Sequence, residues 1–178
     1  MMRMIIATLF LVLSLAGCDG NSSSEQKGQQ PPAEASLAIA SPDAVCFLLD
    51  SHGLATGGWK QVHGDKFGCS SNYKEIGSGS PLVNDLAYYV DGDRNSVTQA
   101  MLVLNVNDKS QATSGHSALL ASAGELSIKL AAVKLPQTIK DAITGGKPMT
   151  AKEGQTTIEV ERDDWPTGKG YELHVIFK

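Results

Sequence analysis

The stretch NDLAYYVDGDRNSVTQAMLVLNVND, residues 84–108, carries the clearest fold signal in the chain. Two strand-like runs, 86–90 and 97–106, flank Asp91-Gly92-Asp93, and an Asp-Gly pair between such runs is a strong signal for a β-hairpin. The run MLVLNV is nearly all apolar at its start, which is typical of a central strand covered on both faces. We therefore expect this hairpin in the middle of a sheet.

Three other segments predict helices. Residues 41–53 begin with Ser41 as a candidate N-cap and Pro42 at the first helical position, and Gly53 offers a left-handed end. A second helix is predicted over 114–133, where apolar residues recur at spacings of four and three. A third begins at Pro136 and ends at Gly145-Gly146. The apolar residues of the second helix are Leu119, Ala123, Leu126, Leu130 and Val133.

Further strands are predicted around residues 70–76 and in a C-terminal hairpin formed by TTIEVERDD (156–164) and GYELHVIFK (170–178). Helices and strands come in runs, without strict βαβ alternation. This order is typical of an α+β fold with an antiparallel sheet. We expect one domain over residues 41–178, with about five strands packed by two or three helices in the order α-β-β-β-α-α-β-β.

The N-terminus carries an export signal. A positively charged start, Met1-Met2-Arg3, precedes an apolar run over 5–15 that is too short to span a bilayer comfortably. It closes with Leu15-Ala16-Gly17-Cys18, which resembles the lipobox of bacterial lipoproteins. The resemblance implies that residues 1–17 are a signal peptide, and that Cys18 is lipidated (palmitate among its acyl chains) and anchors the chain in a lipid bilayer.

Residues 18–40 are predicted to be a flexible tether, because Ser, Gln, Gly, Pro and Glu dominate them and bury too little apolar surface to fold. The chain is then expected to face the periplasm from the cell envelope. Asp19, directly after the lipidated cysteine, favours retention in the inner membrane under the enterobacterial sorting rule. Other bacteria sort differently, so inner and outer membrane both stay open.

Cysteine usage agrees with an oxidising compartment. The chain has three cysteines, and lipidation of Cys18 leaves Cys46 and Cys69 as an even pair. A metal site is the rival interpretation, but two cysteines without a nearby C-x-x-C or paired histidines fall short of four ligands. The interpretation therefore favours a disulfide between Cys46 and Cys69.

Most catalytic and cofactor motifs are missing from the sequence. Scattered Lys and Arg give a net charge of −4 and no basic stripe, which disfavours nucleic-acid binding. Asp91, Asp93 and Asn95 resemble half of a calcium loop, but Ser96 replaces the required glycine. The histidines are far apart and no G-x-S-x-G elbow occurs. We expect no cofactor, no metal and no enzymatic activity.

The segment ERDDWPTGKGYE, residues 161–172, is the strongest candidate for contact with a partner. Exposed Trp, Tyr and Arg tend to anchor interfaces. The competing interpretation is that Trp165 covers the edge of the core, and Trp59 is equally open. The candidate partner-binding residues are Arg162, Asp163, Asp164, Trp165, Lys169 and Tyr171.

The leading hypothesis is thus a non-enzymatic protein-binding module of the bacterial envelope. It would be an accessory subunit of an envelope complex, or an inhibitor or immunity-type protein that binds another envelope or exported protein. The alternatives are an envelope enzyme with an unrecognised active site and a carrier of a small ligand or lipid, which requires an apolar cavity.

Overall fold

The computed structural model describes residues 41–79 and 82–178. The predicted signal peptide (1–17), the lipidated Cys18 and the tether over 18–40 lie outside these residues and stay predictions. Among the described residues, no helix is both long enough and apolar enough to cross a membrane.

An eight-stranded antiparallel sheet forms the centre of the fold. The strands are β1 (Lys60–His63), β2 (Lys66–Ser70), β3 (Lys74–Ile76), β4 (Asn84–Gly92), β5 (Val97–Val106), β6 (Met149–Glu153), β7 (Thr156–Asp164) and β8 (Tyr171–Phe177). Their order across the sheet is β1-β2-β4-β5-β8-β7-β6. β2 and β3 pair with the same edge of β4. β3 pairs with the first residues of β4, and β2 pairs with its last residues. The predicted central hairpin is therefore confirmed.

Helices pack on one face of the sheet. They are α1 (Pro42–Cys46), α2 (Ala112–Ala131) and α3 (Gln137–Gly145), and short 3₁₀ turns cover Asp50–His52 and Lys109–Gln111. Alternate side chains of the strands point towards these helices, as the two-residue period of a strand requires, and they form the core with the apolar stripe of α2. The largest fully buried side chains there include Tyr88, Leu102, Leu104, Leu119, Leu126, Ile139 and Phe177.

The intervening strand residues form the opposite face, which we call the open face. Ala87, Val103 and Ile176 lie on this face and are buried, but they do not belong to the core cluster. No helix of the described residues packs there. The open face consists of residues 85, 87, 89 and 91 of β4, 99, 101, 103 and 105 of β5, 172, 174 and 176 of β8, and 157, 159, 161 and 163 of β7.

The α+β class, the antiparallel sheet and three helices agree with the prediction, but the strand count and order do not. The structure has eight strands instead of five, in the order α-β-β-β-β-β-α-α-β-β-β. β1 and β6 are short edge strands with mostly exposed side chains, so they lack the apolar alternation that marks a strand. The single strand predicted over 70–76 is divided between β2 and β3.

That division has a local cause. Between β2 and β3, the hydroxyl of Ser71 accepts a hydrogen bond from the backbone N–H of Tyr88 and so takes the place of a regular ladder bond. The first helix also differs from its prediction. It ends at Cys46, continues as turns to His52, and stops at the left-handed Gly53 (φ 72°). The prediction that the central strand β5 is covered on both faces is also wrong, because helices of the described residues pack on only one face of the sheet.

The predicted disulfide is confirmed, with Cys46 of α1 joined to Cys69 of β2 and a Cα–Cα distance of 6.0 Å. Nearby, the hydroxyl of Tyr88 donates to the carbonyl oxygen of Val45 at 2.9 Å. A five-residue helix has little stability of its own. These two bonds therefore hold α1 on the sheet.

Replacement of both cysteines (Cys46→Ala with Cys69→Ala) should lower the free energy of unfolding by about 3 kcal/mol, because the closed loop no longer restricts the unfolded chain. Urea unfolding followed by circular dichroism measures this change. Wild type in reducing buffer is the control and should show a loss of similar size. An unchanged unfolding midpoint in both samples would show that the bond contributes nothing to stability.

Candidate functional site

The six candidate partner-binding residues lie at the end of the β7–β8 hairpin, where strand alternation separates them. Arg162 and Asp164 of β7 and Tyr171 of β8 point to the helical side of the sheet, whereas Asp163 points to the open face. Trp165 and Lys169 belong to the connecting loop. The predicted cluster is therefore two groups of residues on opposite sides of one hairpin.

Arg162 is held by contacts within the molecule. Its guanidinium lies 3.7 Å from the centre of the Tyr171 ring, a cation–π contact, and its Nη1 donates to the Gly146 carbonyl oxygen at 3.0 Å. Its Nε and Nη2 donate to the carboxylate of Asp164 at 2.7–3.1 Å. That hydrogen-bonded pair lowers the pKa of Asp164 and raises the pKa of Arg162. Arg162 thus joins the hairpin to the end of α3.

Tyr171 is tied to the helices through His116 of α2. The Tyr171 hydroxyl lies 2.8 Å from Nε2 of His116, and Nδ1 of His116 lies 3.0 Å from the carbonyl oxygen of Thr144. A carbonyl only accepts, so in the neutral imidazole Nδ1 donates and Nε2 accepts the tyrosine proton. Burial raises the pKa of Tyr171. Arg162 and Tyr171 therefore fix where the hairpin end sits, and less of either side chain is left for a partner.

Trp165 lines a cleft at the hairpin end. Its indole packs on Gly170, where a Cβ would collide with the ring and with the carbonyl oxygen of Val106. Trp165 is partly buried but is not part of the core, in contrast to Trp59, which packs against the core cluster. The cleft has a volume of about 570 Å³. Its lining residues are Leu82, Asn107, Asp108, Lys109, Trp165, Thr167 and Lys169.

The cleft combines an indole, an exposed leucine and two lysines. The Leu82 side chain is 63% exposed, so the apolar wall it forms with Trp165 is open to solvent. The Lys109 ammonium donates to the Gly168 carbonyl oxygen at 2.7 Å, which holds the loop in place. Binding sites often combine exposed aromatic side chains with a few charged or polar groups. The cleft has this combination.

A row of carboxylates crosses the open face beside this cleft. The strand registers place Glu75 opposite Asp85, Asp85 opposite Asn105, Asn105 opposite Glu172, and Glu172 opposite Asp163. The amides of Asn105 and Asn107 each donate to one oxygen of the Asp85 carboxylate, at 2.7 and 3.1 Å. Nε2 of His174 lies 2.9 Å from Glu172. The sequence prediction included only Asp163 of this row, because the rest depends on strand register.

Tyr89 lies on the open face of β4, with Ala87 between it and Asp85 of the carboxylate row. Its hydroxyl donates to that of Tyr73 at 3.2 Å. Burial, the bond to Tyr73 and the negative charges of Asp85 and Glu172 together raise the pKa of Tyr89 to about 12. Burial is the largest cause of the elevated pKa, and the two carboxylates add to it.

Some side chains of types that occur in catalytic or metal sites are bonded within the molecule. Nδ1 of His52 lies 3.3 Å from the hydroxyl of Ser122, but Ser122 is only 3% exposed, so this pair offers no accessible nucleophile. In the turn between β4 and β5, residues 93–96, the carboxylate of Asp93 accepts from the backbone N–H of Asn95 and of Ser96. No cluster of three or more potential metal ligands occurs among the described residues.

Comparisons with protein-family models, with curated proteins and with solved structures gave no significant match.

The substitution Gly170→Ala should displace the Trp165 indole, because the added methyl group collides with the ring and with the Val106 carbonyl. We expect a red-shifted Trp165 emission, measured in a Trp59→Phe background so that one indole reports. Gly124→Ala is the control, since nothing lies within 4 Å of a Cβ there and Gly124 has the ordinary backbone of α2. Equal emission from both variants would contradict the described packing.

Tyr89 should stay mostly protonated at pH 11, where a pKa of about 12 leaves about one-tenth as phenolate, against about nine-tenths for an ordinary tyrosine. The unfolded chain ionises near pH 10, so the stability linked to Tyr89 is present below pH 10 and is lost between about pH 10 and 12. Tyrosine NMR of chains labelled at the ring carbon bonded to the hydroxyl measures the titration. Glu172→Gln should lower this pKa, and Lys134→Gln, far from the face, should not.

Proposed function

We propose that this chain is a lipid-anchored lipoprotein of the bacterial envelope whose folded domain binds another protein without catalysing a reaction. The Leu15-Ala16-Gly17-Cys18 motif supports the anchor, and the disulfide between Cys46 and Cys69 is compatible with an oxidising compartment. The domain faces the periplasm, and Asp19 favours the inner membrane over the outer one. Its role is that of an accessory subunit, or of an inhibitor or immunity-type protein.

The Trp165 cleft is the observation that carries this proposal. The indole lies outside the core, on a loop whose position is fixed by Arg162, Tyr171 and Lys109. A rigid aromatic side chain loses little conformational entropy on binding, which is why tryptophan is enriched at the centres of interfaces. Of the candidate residues, Asp163, Trp165 and Lys169 are the ones that meet the partner. Arg162, Asp164 and Tyr171 are positioning residues.

Small-ligand carriage is the alternative that a specific observation favours. A cleft of about 570 Å³ falls within the size range of small-molecule sites. However, its walls include Lys109, Lys169 and Asp108, so a lipid chain in the cleft would remove charged groups from water at a cost in free energy. A polar ligand of modest size suits the cleft better. Enzymatic activity has less support, because the Ser122 hydroxyl is buried.

Trp165→Ala should abolish capture of the partner in cells. The full lipidated chain is crosslinked in its own host, and the proteins that copurify are identified by mass spectrometry. We expect one dominant envelope or exported protein with wild type and at least a tenfold loss with Trp165→Ala, corresponding to about 1.4 kcal/mol or more from one interface anchor.

Ile128→Ala is the matched control, because Ile128 is a large apolar residue of α2 that is 56% exposed. It should retain the partner at the wild-type level. If wild type captures nothing above an unrelated lipoprotein with the same tether, the binding proposal fails. If both variants lose the partner equally, the Trp165 cleft is not the binding surface.

A further inference from the structure

The Trp165 cleft is continuous with the carboxylate row of the open face. Asn107 belongs to both, because its side chain lines the cleft and its amide donates to the Asp85 carboxylate at 3.1 Å. Farther along the row, Asp163 and Glu172 lie directly opposite each other near the base of the loop that carries Trp165. A protein that fills the cleft with one side chain therefore also covers part of the row.

This end of the open face is negative, and the molecule does not neutralise it. Glu161 stands beside the row on β7, so five carboxylates share the surface. Among the described residues, only Glu172 has an ion-pair partner, and that partner is His174, which is charged only when it is protonated. The five carboxylates belong to Glu75, Asp85, Glu161, Asp163 and Glu172.

Basic residues that are adjacent to the row in sequence point away from it. Lys74 precedes Glu75, but its ammonium group donates at 2.7 Å to a backbone carbonyl oxygen of the first 3₁₀ turn, on the helical side. Arg162 precedes Asp163, but its guanidinium is paired with Asp164, also on the helical side. The negative charge of the row is therefore open to a cation from another molecule.

The Trp165 cleft itself has a different character. Trp165 and Leu82 form its apolar wall, and Lys109 and Lys169 stand against Asp108, which leaves one positive charge in excess. A basic side chain is not favoured there, whereas an apolar one packs on the indole. The basic groups of a partner thus fit the row, and its apolar anchor fits the cleft.

Two like-charged pairs of the row are an independent sign of a cationic partner. Glu75 is directly opposite Asp85, and Glu172 is directly opposite Asp163. Like charges at directly opposite positions of an antiparallel pair destabilise the sheet. Residues that lower the stability of the free protein are typical of binding surfaces, because their interactions are completed by the partner. A cationic side chain placed between the members of each pair removes their repulsion.

We propose that the partner of the Trp165 cleft is a basic protein, which places lysine and arginine side chains along the carboxylate row and one apolar side chain in the cleft. This inference rests on the proposed protein-binding function and adds the chemistry of the partner. The row crosses from β3 to β7 over β4, β5 and β8, so at about 4.8 Å per strand it is about 19 Å long. An extended segment with basic residues at four alternate positions spans about 20 Å.

Removal of one charge from each like-charged pair tests the proposal. The row variant carries Glu75→Gln and Asp163→Asn, both at exposed positions. The charge-matched control carries Asp50→Asn and Asp65→Asn, which are exposed acids outside the row, so the two proteins have the same net charge. A difference between them then depends on where the charges lie.

The partner is identified by crosslinking the full lipidated chain in its own host, with a photoreactive phenylalanine derivative in place of Tyr73. Tyr73 is 60% exposed, and its hydroxyl meets that of Tyr89 on the open face. We expect a crosslink to the same protein that Trp165 captures, through a peptide with more Lys and Arg than Asp and Glu.

The identified protein is then purified, and its affinity for full chains in detergent is measured at low and high salt. The row variant should bind at least about fivefold more weakly than wild type at low salt, and the control should bind like wild type. In urea unfolding, the free row variant should be at least as stable as wild type, because the like-charged pairs are gone. A lower unfolding midpoint would show that the carboxylates serve the fold, and would overturn the inference.

The outcomes separate this inference from the binding proposal on which it rests. A Trp165-dependent partner whose crosslinked peptide has no excess of Lys and Arg, or which binds the row variant as well as wild type, overturns the inference and leaves the binding proposal intact. Equal weakening by the row variant and the control does the same, since only net charge then matters. Capture of nothing above an unrelated lipoprotein overturns both.

Discussion

The antiparallel ladder between β4 and β5 is the interaction on which the rest of the structure depends. It runs from Asp85 opposite Asn105 to Gly92 opposite Val97. β2 and β3 extend the sheet from the free edge of β4, and β8 extends it from the free edge of β5. Because side chains alternate along each strand, the same register also decides which residues meet the helices and which meet solvent. The register of the β4–β5 ladder therefore determines which side chains form the core and which form the open face.

Much of this architecture could be predicted because its signals are local. The signals of the β4–β5 hairpin, of α2 and of the C-terminal hairpin each occupy a short window, and all three elements are present in the structure. Their bounds differ from the prediction, because Asp91 and Gly92 belong to β4 and α2 ends at Ala131, before the predicted stripe residue Val133. β1 and β6 were missed because edge strands need only one neighbour and little apolar surface. The carboxylate row was also missed, since Asp85 and Glu172 lie far apart in sequence and only the strand registers bring them together.

The candidate partner segment shows where residue type alone is insufficient. Arg and Tyr are typical of interfaces, but Arg162 and Tyr171 fall on the helical side of their strands and are bonded to Gly146 and His116. Trp165 lies outside the core because Gly170 leaves room for its ring. The internal bonds of Arg162 and Tyr171 therefore position the loop that forms the Trp165 cleft. The network that buries Tyr171 and engages the guanidinium of Arg162 also holds the Trp165 loop in a defined position.

The two outermost strands of the sheet have a consequence for how copies of this domain meet at high concentration. β1 is exposed, begins with Lys60 and has an irregular register near Gln61, and β6 is five residues long and carries Lys152. Short, charged or bulged margins are poor templates for another chain's backbone. Growth of the sheet into fibrils by edge-to-edge pairing is thereby disfavoured, so copies of the domain meet through side chains rather than through backbone hydrogen bonds.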